Sequence, residues 1–301
     1  MRGVYACGLV CVGIVSEVLG MTPKFDGGGR AMIGLVRRPT LLLAACGLQR
    51  SLATLTSVSL QPRPSQPEAI PGYIGGPKGS PAVIVIQEWW GVDDGIKAKA
   101  EKIASEGYRV FVPDIYKGKI GVDAEEAHHL MSNLDFPKAV TEISEVAAHL
   151  KEEGSPAVGV VGFCMGGALT MGALAKSKDI TCGAPFYGVN FGLFETSQLK
   201  DKPVQGHFGE EDTMEGFSDV VAAKKLEGEL KAAGNANAEV FIYDGVGHAF
   251  MNTSPAPFKS FDERKEKMGF PPYDELRARL AWNRLFEFFG KHLKGEGKQE
   301  L

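Results

Sequence analysis

A chain of 301 residues, 44% hydrophobic and 23% charged, has the composition of an ordinary globular protein with room for one large α/β domain or two small ones. The formal net charge is −4, yet residues 1–65 hold seven basic residues against two acids, a net of +5 that leaves −9 for the remainder. With no concentrated basic stripe after residue 65, nucleic acid is excluded as the expected partner. The five cysteines, at 7, 11, 46, 164 and 182, provide neither a disulfide framework nor a paired C-x-x-C zinc motif. No run reaches the ~18 apolar residues of a bilayer span, because Ser16 and Glu17 interrupt the one candidate.

Residues 1–65 are poor in acids, rich in Arg, Ser, Thr, Leu and Ala, and close on the proline-rich stretch Gln61-Pro62-Arg63-Pro64-Ser65-Gln66-Pro67, which reads as a linker. The composition fits an organelle transit peptide, to a chloroplast or mitochondrion, removed ahead of residue 66. Val4–Val15 behind Arg2 fits the apolar region of a secretory signal instead, and a plain disordered tail is the bland alternative. Cys7 and Cys11, four apart, read as packing residues rather than metal ligands.

The folded part, residues 66–301, is expected to begin near Ile70. Gly75-Gly76-Pro77-Lys78-Gly79 precedes a strand instead of following one, so it reads as a hairpin turn and not as a phosphate loop. Ala82–Gln87 is a continuous apolar run, the pattern of a strand buried on both faces. Asp94–Gly107 reads as a helix, Tyr108–Val112 as a strand, and Asp123–Asn133 and Phe136–Glu153 as two further helices. Val158–Phe163 is the next strand and runs into Cys164 and an alanine- and leucine-rich helix. Strands follow at Ile180–Tyr187, Lys202–Gly209 and Glu239–Tyr243, with a helix over Met214–Ala233 and a closing amphipathic helix over Tyr273–Leu293. This alternation predicts a mostly parallel sheet with helices on both faces, a three-layer α/β/α sandwich.

Within that frame Gly162-Phe163-Cys164-Met165-Gly166 is a cysteine form of the G-x-S-x-G elbow, a strand-to-helix turn that points its nucleophile out of the sheet. The helix beginning at Met165 turns its unpaired amides and positive dipole end toward the sulfur, which favours a thiolate and an oxyanion beside it. Glu88, Cys164, Asp212 and His248 each follow an apolar strand, and in an open α/β sheet such ends meet at one edge. The chain order of nucleophile, acid and histidine suits a histidine base oriented by a carboxylate. Asp212 is preferred over Glu210 and Glu211 because it lies farthest into the loop.

These motifs, with Gln87-Glu88-Trp89-Trp90-Gly91, Gly209-Glu210-Glu211-Asp212 and Gly247-His248-Ala249-Phe250, make the sequence over about residues 70–293 resemble the dienelactone hydrolase, or carboxymethylenebutenolidase, family of α/β-hydrolases. The resemblance implies the α/β-hydrolase fold, Cys164 as nucleophile, His248 as base, Asp212 as its orienter, and Glu88 as a carboxylate that contacts the resting thiol until substrate displaces it. It implies an oxyanion hole from the backbone amides of Trp89 and Met165, with Trp90 and Phe250 toward the substrate. One departure stands out. Members of the family hold a substrate carboxylate with arginines, one shortly after the histidine; here His248 is followed by Ala249-Phe250-Met251-Asn252, and residues 119–135 offer only His128 and His129, which read as surface residues. The expected protein is thus a monomeric hydrolase of a small-molecule lactone or carboxylic ester, needing no cofactor and no metal, and not bound to a membrane. A non-catalytic ligand-binding protein on the same scaffold, or a redox-sensing thiol protein, are the competing readings.

Overall fold

The computed structural model describes residues 54–63 and 66–295. Eight strands form one sheet in the order β1-β2-β4-β3-β5-β6-β7-β8, where β1 is Thr56–Leu60, β2 Ile70–Gly75, β3 Ala82–Ile86, β4 Arg109–Pro113, β5 Val158–Phe163, β6 Cys182–Phe186, β7 Val204–Gly209 and β8 Ala238–Tyr243. The β1–β2 and β2–β4 pairs are antiparallel, and every other pair is parallel. The helices are α1 (Asp94–Ser105), α2 (Ala124–Ser132), α3 (Phe136–Glu152), α4 (Met165–Lys176), α5 (Val220–Ala232), α6 (Phe261–Met268) and α7 (Glu275–Phe289).

The apolar runs explain the layering. Ala82, Ile84 and Ile86 of β3 turn to one face and join a core with residues of α3, α4 and α5, while Val83 and Val85 turn to the other and pack with α1 and α7. All five residues are buried, as a strand covered on both faces requires. Burying each such Ile or Val contributes about 1.5–3 kcal/mol. The helix starts are fixed by side-chain caps that the sequence supplies: Asp93, Asp123, Asp135, Asp219, Ser260 and Asp274 each accept from a backbone amide of the following turn. The expected α/β-hydrolase sandwich is therefore the fold observed.

Three readings need correction. Thr56–Leu60, assigned above to the leading segment, pairs along its whole length with β2, so the sheet starts well ahead of Ile70. Arg63 just after it is likewise tied down, bridging to Gln66 through the backbone and to Glu152 through its guanidinium. The strand escaped notice because it is an antiparallel edge strand with mostly exposed residues, so it lacks the apolar run of the central strands. The glycine turn at 75–79 is no hairpin: β4 lies between β2 and β3, and the turn crosses over it. The stretch 214–219 is not helical, because Gly216 takes a positive φ of 70° and Asp219 caps the helix only at Val220. The rest of the expected targeting segment, residues 1–53 with Cys7, Cys11 and Cys46, lies outside the described residues.

Candidate active site

Four sequence-singled residues come together at the carboxyl edge of the parallel strands. Cys164 follows β5 with φ 56°, a strained setting for a side chain with a Cβ, and it precedes the first turn of α4. Two glycines permit this turn. A Cβ on Gly162 would fall 2.0 Å from Gly166 O, and one on Gly166 would fall 2.5 Å from Gln87 O. The elbow is thus pressed against the end of β3, which delivers Glu88, Trp89 and Trp90 to the same place. Of the four non-glycine residues with positive φ among the described residues, Cys164, Tyr187 and Ala249 all lie here, so backbone strain is concentrated at this edge.

His248 is buried in the loop after β8, and its Nδ1 lies 2.8 Å from Asp212 Oδ2 and 3.1 Å from Ser218 Oγ. The buried Asp212 carboxylate can only accept, so Nδ1 carries the proton and Nε2 is left for the sulfur. The other carboxylate oxygen accepts from Met214 N at 3.1 Å, which fixes the loop carrying the acid. Burial pulls the imidazole down. The negative charge at Cys164 and the hydrogen bonds to Asp212 and Cys164 outweigh it and push His248 up to about 10. The arrangement therefore favours a protonated imidazole beside Cys164. Ser218, not singled out in the sequence, adds an oxygen on the acid side of the ring.

Glu88 is buried, and both its carboxylate oxygens are engaged: Oε1 accepts from Tyr187 OH at 3.0 Å and Oε2 from Asn252 Nδ2 at 3.0 Å. Burial, then the charge of Glu88, push the Tyr187 phenol well up, so it stays a donor. Trp89 and Trp90 stand in the cleft wall with ring centroids 4.8 Å apart, and Phe258 packs edge-on to Trp90 at 6.0 Å. Phe250 does not face the cleft. It is 1% exposed and packs among Tyr187, Tyr243 and Phe186, so it supports the histidine loop from beneath instead of meeting a substrate. Met165 is also buried, with its sulfur accepting from Tyr116 OH, and its amide belongs to the first helical turn, where amides have no intrahelical acceptor. His128 and His129 are exposed on α2, as expected.

Arg264 is the residue that sequence reasoning missed. It sits on α6, is 3% exposed, and lines the same narrow cleft as Cys164, His248, Glu88 and the two tryptophans. Its Nη2 donates to Pro271 O at 2.7 Å, but Nε and Nη1 are buried without a protein partner. No local pattern marks it: Asp262-Glu263-Arg264-Lys265-Glu266-Lys267 reads as a solvated charge run, and only the fold brings one of its members inward. Among the described residues no cluster of three or more His, Cys, Asp or Glu side chains is placed to hold a metal.

Comparison with known proteins agrees with this architecture. "Protein usf" of Aquifex pyrophilus is 33% identical over 236 residues, covering 74% of this chain and 93% of its own. A protein of Aquifex aeolicus named "Putative carboxymethylenebutenolidase" is 30% identical over 239 residues, covering 74% and 94%. Among solved structures, a dienelactone hydrolase-like promiscuous phosphotriesterase, P91, from metagenomic libraries superposes with a TM-score of 0.66 over 80% of this chain and 99% of its own; at 18% identity that likeness is one of fold. The model of the dienelactone hydrolase family matches residues 70–293, from β2 to the end of the closing helix and across every element that supplies the site. The chain belongs to the dienelactone hydrolase family.

Proposed function

We propose that this protein hydrolyses a carboxylic ester or lactone through a thioacyl intermediate on Cys164. The observation that carries the reading is the buried His248–Asp212 pair set against a cysteine at a strained strand-to-helix elbow. In the first step Sγ, its proton held by His248, attacks the ester carbonyl carbon and the carbonyl π electrons move to oxygen. The resulting oxyanion meets the backbone amides of Met165 and Trp89, preorganised donors at a helix start and a strand end. When it collapses, the carbon–oxygen bond to the alcohol breaks, and His248 delivers the proton to the leaving oxygen. In a lactone the alcohol stays attached to the acyl chain. Water then gives His248 a proton as its oxygen attacks the thioester, and the carbon–sulfur bond breaks to release the acid. Asp212 keeps Nδ1 protonated and Nε2 facing the chemistry throughout.

Arg264 narrows the substrate. A buried guanidinium whose Nε and Nη1 lack partners, in a cleft walled by tryptophans, suits an acyl group or alcohol bearing a carboxylate, which offsets the buried charge and accepts from a free donor. This supplies the cation that the loop after His248 lacks. The test is turnover of residues 54–301 against paired aryl esters and lactones with and without a carboxylate, in wild type, Cys164→Ala and Arg264→Met. The reading predicts thiol-dependent turnover and a preference for the anionic member that Arg264→Met removes through KM. Turnover that survives Cys164→Ala would refute the thioacyl route.

A further inference from the structure

Lys99 is a buried charge that the reaction described above does not use. It lies on α1, is 7% exposed, and its ammonium stands 5.1 Å over the ring of Phe163, the residue before Cys164. Among the described residues it enters no direct salt bridge. Burial pushes it below the ordinary lysine value, opposed by the charges of Glu88 and Asp93, with Arg264 adding to the push downward. An ammonium taken out of water costs several kcal/mol unless its surroundings compensate it, so its place calls for a physical account.

The account runs through Asn252. Lys99 Nζ donates to Asn252 Oδ1 at 2.7 Å, and Asn252 Nδ2 donates to Glu88 Oε2 at 3.0 Å. An amide can present either end to a neighbour, but an ammonium only donates and a carboxylate only accepts. Lys99 and Glu88 therefore hold the two ends of the Asn252 amide in one orientation. Without Lys99 the carboxylate still draws Nδ2, but Oδ1 loses its donor and the side chain is held from one end only. With Tyr187 OH on the other oxygen, Glu88 is held from two sides, by donors on the loop after β8 and at the end of β6.

We infer that Lys99 is a positioning residue of this site: it orients the Asn252 amide, and the oriented amide holds Glu88 in the wall of the Cys164 cleft. The inference rests on the thiol hydrolase reading for its kinetic consequence. Lys99→Met keeps most of the stem and removes the donor. It is expected to lower kcat about 10-fold, the scale of a displaced group near the chemistry, with KM changed less than about 2-fold and the urea midpoint retained, because a buried charge is removed with the hydrogen bond. In an Asn252→Leu background, with no amide left to orient, the same replacement should change kcat by less than about 2-fold. Wild-type kcat in Lys99→Met, an equal loss in both backgrounds, or a loss that follows a lowered urea midpoint would overturn the relay. If Cys164→Ala keeps wild-type turnover, the hydrolase reading fails and stability decides the relay alone. Glu88→Gln removes the charge at its far end, so Lys99→Met must then stabilise the Glu88→Gln chain more than wild type, and equal effects in the two chains would overturn the inference.

Discussion

Cys164 follows β5 and Cys182 opens the neighbouring β6, both buried and neither in a disulfide, yet their polar surroundings differ. Cys182 opens β6 with no exposure, and burial pushes its thiol well above the ordinary value, only weakly opposed by Lys202. Cys164 ends one strand over, 7% exposed, at the first turn of α4 with His248 against it. Burial by itself makes a cysteine an inert apolar residue. Reactivity comes from the groups aimed at the sulfur, and these gather only where the parallel strands end. The same difference separates Glu88 and His248, each held by designated donors or acceptors, from the surface histidines of α2.

The largest effect expected from this contrast is on turnover. Cys164→Ala should lower ester hydrolysis at least ~10³-fold, since the proposed nucleophile and base would act as a unit. Cys182→Ala should leave kcat/KM within about 2-fold and cost about 1 kcal/mol of stability for the small space it opens. Steady-state rates and urea titrations of the two variants measure both. A comparable loss of rate in Cys182→Ala would dissolve the contrast.

Next in size is His248→Ala, which removes the proposed base and leaves the elbow. A loss of at least ~10²-fold in kcat/KM is expected, with circular dichroism unchanged. Near-normal hydrolysis would take His248 out of the chemistry. A third measurement needs no substrate: under iodoacetamide at neutral pH, Cys164 should be carbamidomethylated at least ~10-fold faster than Cys182, as peptide mass mapping would resolve. Equal rates would show that the surroundings of the two thiols do not govern them.

How much of this was legible in the sequence follows from where the information sits. The strand ends carrying Glu88, Cys164, Asp212 and His248 could be read because each follows a strand of mainly apolar residues, and a parallel sheet forces such ends to one edge. The elbow could be read because only glycine fits at 162 and 166. What could not be read was made by tertiary contact. Thr56–Leu60 becomes a strand by pairing with β2, Arg264 is turned inward by the packing of α6, and Lys99 meets Asn252 across 153 residues of chain. None of these has a local pattern distinct from an ordinary charged or polar stretch. Phe250 erred in the opposite way: its place in Gly247-His248-Ala249-Phe250 suggested the cleft, but alternation around the positive φ of Ala249 sends the ring into the core.

The smallest expected effect is also the one that isolates a charge. Glu88→Gln is nearly isosteric and can keep both its hydrogen bonds. Asn252 Nδ2 must donate, since Lys99 holds Oδ1, so the new Oε1 faces Asn252; the new Nε2 then faces Tyr187, whose hydroxyl can turn to accept. Shape and bonding are retained and one negative charge near the sulfur is lost. If that charge restrains the thiolate of Cys164, its removal favours the ionised sulfur, and carbamidomethylation without substrate should quicken by a few-fold at pH 7 while Cys182 stays as slow as before. Oxidation by peroxide should quicken in step, because it too follows thiolate character. Turnover is a separate quantity, since a carboxylate that restrains the resting thiol can still assist once substrate is bound, so the rate of ester hydrolysis is to be measured beside the alkylation rate and not in its place. An alkylation rate of Cys164 that is the same in Glu88→Gln and wild type from pH 6 to 9 would leave Glu88 a structural group at the end of β3, with the difference between the two cysteines resting on His248 and the helix start alone.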